Sequence, residues 1–142
     1  MTGIVLQADA ILLDTCIVIR AAEGRTTPTM VSALTHAGLT GGLFVSPVSA
    51  WEIGLLAMTR GMIFAPDPKT WFARVMARPA IRRADLTDDI ALESSMLPGD
   101  FHRDPADRLL VATARALNLA IGTSDRKILD YARAGHVRAI AC

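Results

Sequence analysis

The sequence predicts an α/β fold, with helices on both faces of a mostly parallel sheet of about four to five short strands. Two observations carry this. Short apolar runs at Ala10–Leu13, Leu43–Ser46 and Leu119–Thr123 lack period-two alternation, as expected of strands covered on both faces. Helical segments lie between these runs, so strand and helix alternate along the chain. The 142 residues, of which 51% are hydrophobic, suit one domain over 1–142 with a sizeable core.

Each element has a local reason. Ile4–Leu6 reads as an edge strand or an N-terminal arm. Ala10–Leu13 ends at Asp14, and Thr15–Ala22 follows as a helix capped by Asp14 or Thr15. A turn-rich stretch (Gly24, Thr26, Thr27, Pro28) precedes a helix from about Thr29 to Ala37. Gly41-Gly42 breaks the chain before Leu43–Ser46. Pro47–Arg60 is then a helix that Gly61 ends. Pro66-Asp67-Pro68 opens Lys69–Ala77, and Ile81–Ala84 is a weaker strand. Leu86–Met96 reads as a helix capped by Thr87, with Asp88, Asp89 and Glu93 as dipole-favoured or solvated charges. After the Pro98-Gly99 break, Asp104 is a good N-cap and Pro105 suits the first helical position of a helix reaching about Leu117. Leu119–Thr123 is the next strand. Arg126–Ala134 is a helix capped by Ser124 or Asp125, and Val137–Ile140 is a last strand.

Composition removes several classes. A formal net charge of +1 means that nucleic acid would be held by a local basic patch and not by a global field. Cys16 and Cys142, the two cysteines, make no disulfide framework and read as core filler and chain end. No basic leader or membrane-length apolar run is visible, so a cytoplasmic setting is expected. The histidines and cysteines lack zinc-motif spacing.

The informative residues are acids in apolar company. Asp107, Leu110, Val111 and Ala114 share one helical face. Asp107 therefore heads an inward stripe, or else is an N3 acid paired with Arg103 or Arg108. Glu52 shares a face with Val48, Leu55 and Leu56, or else pairs with Arg60 across the surface. Asp14 and Asp125 follow strand ends, where open parallel sheets place their sites. Four acids distant in sequence could thus meet in one crevice. Their repulsion calls for compensation, usually a hard divalent cation such as Mg2+ or Mn2+, one or two per site. Such a site suits phosphodiester hydrolysis by metal-activated water. Thr15, Ser49, Thr123 and Ser124 could orient the carboxylates, with Ser49 and Ser124 read first as helix caps. Arg103, Arg108, Arg126 and Lys127 flank the crevice as candidate contacts to a phosphate backbone, and Arg74, Arg78, Arg82 and Arg83 form another basic group. Trp51 and Trp71 read as packing residues, His36 and His136 as loop residues, and His102 as a phosphate contact or cap.

These residues, in order, resemble a known family: Leu-Leu-Asp14-Thr15, then Ser46-Pro-Val-Ser-Ala-Trp-Glu52-Ile, then His102-Arg-Asp-Pro-Ala-Asp107-Arg-Leu-Leu-Val-Ala, then Thr123-Ser-Asp125. The pattern is similar to PIN domains, and to the VapC toxins of toxin–antitoxin pairs among them, from about Ile11 to Ile140. The resemblance implies a three-layer α/β/α fold and an Mg2+- or Mn2+-dependent endoribonuclease. It assigns the catalytic and metal-binding acids to Asp14, Glu52, Asp107 and Asp125, with Asp104 as a cap and supporting acid. It also implies an RNA substrate, a homodimer and a VapB-type antitoxin as partner. Cys16 and Ala106 depart from the family pattern, where His and an aromatic are common, but neither removes an acid.

Two other readings compete. A phosphoacceptor or phosphatase-like domain also puts an Asp at a strand end, but here Leu13 precedes Asp14, Cys16 stands two residues after it, and Lys127 falls within a helix. A non-catalytic binding module that kept the fold is the other.

Overall fold

The computed structural model describes residues 3–142; Met1 and Thr2, counted in the expected domain, lie outside the described residues. In chain order the elements are β1 (Ala10–Leu13), α1 (Thr15–Ala22), α2 (Pro28–Leu39), β2 (Gly42–Val45), α3 (Pro47–Arg60), α4 (Pro68–Met76), β3 (Ile81–Arg83), α5 (Asp88–Ser95), α6 (Pro105–Ala116), β4 (Ala120–Thr123), α7 (Arg126–Arg133) and β5 (Arg138–Ala141). The sheet order is β3-β2-β1-β4-β5, and every neighbouring pair is parallel. The expected α/β/α architecture is therefore present, with a sheet that is wholly rather than mostly parallel.

Alternate residues of β1 and its neighbours feed two cores. Leu12, Ile121 and Ala139 pack with Leu110 and Val111 of α6 and Ile128 and Tyr131 of α7. Ile11, Leu13, Ala120 and Ile140 pack with Ile17 and Val18 of α1 and Met30 and Ala33 of α2. Because both faces of the inner strands β1 and β4 are covered, these strands read as continuous apolar runs. A smaller cluster of Ile19, Ile53 and Phe64 ties α1 to α3 and the loop beyond it.

The order of the strands positions the site. From β1 the chain first winds outward through β2 and β3, then returns to the other side of β1 as β4 and β5. The direction of winding reverses between β1 and β4, and a crevice opens outside their carboxyl ends at such a reversal. Asp14 follows β1 there, and Ser124 and Asp125 follow β4.

Helix starts refine the sequence reading. Ser46, not Ser49, caps α3: its hydroxyl accepts from Val48 N at 3.0 Å, because Pro47 occupies the first helical position and fixes the cap one residue earlier. Asp125, not Ser124, caps α7 and accepts from Lys127 N and Ile128 N. Gly61 closes α3 with φ 63°, a left-handed turn that suits glycine. His36 lies within α2, 2.9 Å from Asp9, and not in a loop. Trp71 packs edge-on against Phe64, whereas Trp51, expected to pack, is 51% exposed. The arm before β1 adds a parallel bridge, Ile4 to Ala139, to the outer side of β5.

Leu110 is fully buried between α6 and the sheet. Leu110→Ala is expected to cost about 2–5 kcal/mol of stability through lost burial and a residual cavity, measured by urea unfolding.

Candidate active site

The crevice is a cleft of about 630 Å³ lined by Asp14, Glu52, Asp107 and Asp125 together with Thr15, Cys16 and Ser124. Four carboxylates from four elements thus share one wall space. Its other lining residues come mainly from the facing sides of α1 and α3: Ile19 and Arg20 on one, Leu55, Leu56, Thr59 and Arg60 on the other.

Asp14 is the deepest acid, 7% exposed. Its Oδ1 accepts from Thr15 N at 2.7 Å, and its Oδ2 accepts from the Thr123 hydroxyl at 2.6 Å. Thr123 Oγ1 in turn accepts from Asp125 N at 2.9 Å, so the turn after β4 is tied to the carboxylate after β1. Burial raises the Asp14 pKa, and the nearby Asp125 charge adds to this, while the Thr123 and Thr15 hydrogen bonds oppose it.

Glu52 enters from α3. The Thr15 hydroxyl donates to Glu52 Oε1 at 2.5 Å and lies 2.8 Å from the Ser49 hydroxyl. Thr15 and Ser49 are both buried, so this contact stitches the N-terminal ends of α1 and α3 together. Ser49 is an interhelical partner and not a cap. Burial raises the Glu52 pKa, and the charges of Asp14 and Asp104 push in the same direction. The sequence reading paired Glu52 with Arg60 as one option; no such ion pair forms, because eight residues of helix separate the two by roughly 12 Å of rise.

Asp107 stands in the first turn of α6, where its backbone N–H donates to the Asp104 cap at 3.0 Å. It pairs with neither Arg103 nor Arg108. His102 Nε2 lies 3.0 Å from its Oδ2, although the ring is turned so that this buried nitrogen makes no aligned hydrogen bond. Burial, followed by the like charges of Asp14, Asp104, Asp125 and Glu52, pushes the Asp107 pKa up from its ordinary 3.8 to about 7. Repulsion among the acids is thus written into the site.

Several other expectations are redrawn. Arg108 does not face the cleft: its Nε donates to Ser94 O, and its Nη1 to Phe101 O and His102 O. It clamps the loop ahead of α6 instead of offering charge to a phosphate. Arg103, Arg126 and Lys127 are exposed and outside the cleft lining; Lys127 borders a separate hollow with His102 and Tyr131. Asp104 and Thr123 stand behind the lining as supports. Of the arginines that do line the cleft, Arg20 and Arg25 were not singled out from sequence, and Arg60 was read only as a surface partner for Glu52. Arg60 continues the Glu52, Leu56 helical row, which was the available signal.

The donor chemistry fits a hard divalent cation, since the acids supply only carboxylate oxygen. Among the described residues, no three His, Cys, Asp or Glu side chains stand together as a ready-made metal cage. Mg2+ does not require one, because it commonly keeps several waters and takes one or two carboxylates.

The raised pKa makes stability pH-dependent. The folded state keeps the Asp107 proton to about pH 7, whereas the unfolded chain releases it near ~3.9. The folded state therefore binds more protons within that window, and stability falls as pH rises through it. In divalent-free buffer, Asp107→Asn is expected to unfold at a higher temperature than wild type at about pH 8, with the gap closing toward about pH 4. Thermal unfolding followed by circular dichroism reads this; a gap that widens on acidification contradicts it.

Comparisons with known proteins agree with the fold. A family model described as the PIN domain matches residues 11–134. Ribonuclease VapC22 of Mycobacterium tuberculosis is 29% identical over 89 residues, covering 63% of this chain and 67% of that protein. Among solved structures, VapBC2 of Rickettsia felis bound to a promoter DNA fragment is similar with a TM-score of 0.68 at 12% identity, over 92% of this chain and 96% of that one. DNA-bound VapBC of Salmonella typhimurium is similar with a TM-score of 0.66 at 15% identity, over 97% of this chain and 100% of that one.

Proposed function

This chain belongs to the PIN domain family, and from that premise we propose that it is an Mg2+- or Mn2+-dependent endoribonuclease acting as the toxin of a VapBC-type pair. The observation that carries the reading is the convergence of Asp14, Glu52, Asp107 and Asp125 on one cleft outside the carboxyl ends of β1 and β4. The similarity to a ribonuclease VapC supports the substrate class. The similarity to VapBC assemblies supports a VapB-type antitoxin as partner. A homodimer and a single catalytic domain over the chain complete the proposal.

In this reading the four acids hold the cation. A divalent cation held there would neutralise charge at the phosphodiester and lower the pKa of a water, so that hydroxide is available as the nucleophile at neutral pH. The rest is positioning by the chain. Thr123 fixes Asp14 from β4, Thr15 orients Glu52 from α1, and the Asp104 cap sets the first turn of α6 that carries Asp107. The apolar side chains of Ile19, Leu55 and Leu56 line the same cleft. A phosphoacceptor role for Asp14 has less support, since both its oxygens are engaged in hydrogen bonds and Lys127 faces elsewhere.

The test is cleavage of a structured RNA panel by partner-free protein, with Mg2+ or Mn2+ against EDTA. Asp14→Asn and Asp107→Asn are each expected to fold and to lose more than about 100-fold in rate, beyond the usual cost of losing a supporting partner. Wild-type rates from either variant, or cleavage that survives EDTA, would overturn the assignment. Thr15→Val removes the donor to Glu52 and is expected to weaken Mn2+ binding by about 10- to 100-fold in calorimetry; unchanged affinity contradicts the positioning role.

A further inference from the structure

The cleft has two chemically different ends. Thr15 joins the N-terminal ends of α1 and α3, and both helices run away from that junction. The acids stand at the junction, and Arg20 and Arg60 occupy the last turns of the two helices. Arg25 follows in the loop after α1, and all three line the same cleft as the acids. The rise per residue puts Arg20 roughly 9 Å beyond Asp14 and Arg60 roughly 12 Å beyond Glu52 along their helices.

These arginines are not there to neutralise the acids. The charges acting on Glu52 are Asp14 and Asp104, both of its own sign, and those acting most strongly on Asp107 are four carboxylates. Arg25 pairs with Glu23 on the surface at 2.7 Å. Among the described residues, the four ion pairs include neither Arg20 nor Arg60. A favourable interaction with the helix C-terminus accounts for a basic residue in each last turn. It does not account for two such turns, plus Arg25, facing one cleft. Between the arginines and the acids along the two helices the lining is mostly apolar, with Ile19, Leu55 and Leu56 beside Thr59.

We propose that Arg20, Arg25 and Arg60 hold the backbone phosphates of a single-stranded RNA next to the bond being cut, with its bases against the apolar walls. The inference rests on the ribonuclease reading and specifies how its substrate is held. A cleft of about 630 Å³ has the size of a small-ligand pocket, which suits a few nucleotides of one strand. A charged groove that tracks the backbone beside apolar surface for the bases is the general design for single strands.

The test is equilibrium binding of a fluorescein-labelled single-stranded RNA in EDTA, read by anisotropy at several salt concentrations. Arg20→Gln and Arg60→Gln are each expected to lower the slope of log K against log salt by about 0.7, and to weaken binding by about fivefold at roughly 0.1 M salt. Arg20→Lys and Arg60→Lys, which keep the charge, restore most of the slope, and Arg103→Gln, outside the cleft, leaves it unchanged. Thermal unfolding of each variant shows that the fold is retained. The proposal is overturned by glutamine variants that bind RNA with the wild-type slope, or by wild-type protein that binds no RNA. It is equally overturned if an acidic peptide binds in place of RNA and is lost in the glutamine variants, which would give these arginines to a protein partner. EDTA-sensitive cleavage is measured separately, so the ribonuclease reading stands or falls independently of this result.

Discussion

A buried carboxylate at the end of the central strand is the constraint from which the rest follows. Removing Asp14 from water carries a large cost unless its oxygens are satisfied. Its oxygens accept from the first turn of α1 and from Thr123 of β4. The second bond exists only because β1 and β4 pair with Leu13 beside Gly122, so that Asp14, just past β1, falls beside Thr123, the last residue of β4. A slip of one residue would turn Thr123 to the other face of the sheet and leave the carboxylate unsatisfied. Strand register, the start of α1 and the floor of the cleft are therefore one interaction seen from three sides.

The acids themselves are poorly compensated. Asp14, Glu52 and Asp107 are all pushed toward the protonated form, chiefly by burial and further by neighbouring carboxylates. Nothing in packing favours this arrangement, and local rules broken without a structural gain mark functional positions. The two cores on either side of the sheet supply the stability that tolerates it.

Much of this was legible in the sequence, for physical reasons. Doubly covered strands need continuous apolar runs, which made β1, β2 and β4 visible. Glu52 and Asp107 stood out because a helical face that is otherwise apolar leaves an acid without a surface explanation. What escaped depends on long side chains and on which hydroxyl reaches which partner. Arg108 had the right position for a phosphate contact, yet its guanidinium bends back to three carbonyl groups. Ser49 looked like a cap, although Pro47 already implied a cap at Ser46. The arginine end of the cleft arises only when α1 and α3 are laid side by side: the Glu52, Leu56, Arg60 row marks the α3 half, and nothing local pairs it with Arg20.

The parallel sheet has two outer strands, and each is guarded differently. β5 is partly shielded by the arm, through the Ile4 bridge and hydrogen bonds between Gly3, Val5 and Ala139. β3 is three residues long and ends in Arg82 and Arg83, both exposed. Shortness, charge and a covering segment are the devices by which natural sheets avoid adding strands from another molecule. The basic pair on β3 thus has a gatekeeping explanation that needs no ligand. With both borders made unfavourable for sheet extension, the chain can expose apolar helix positions such as Trp51 and Met58 without offering a template for fibrous growth.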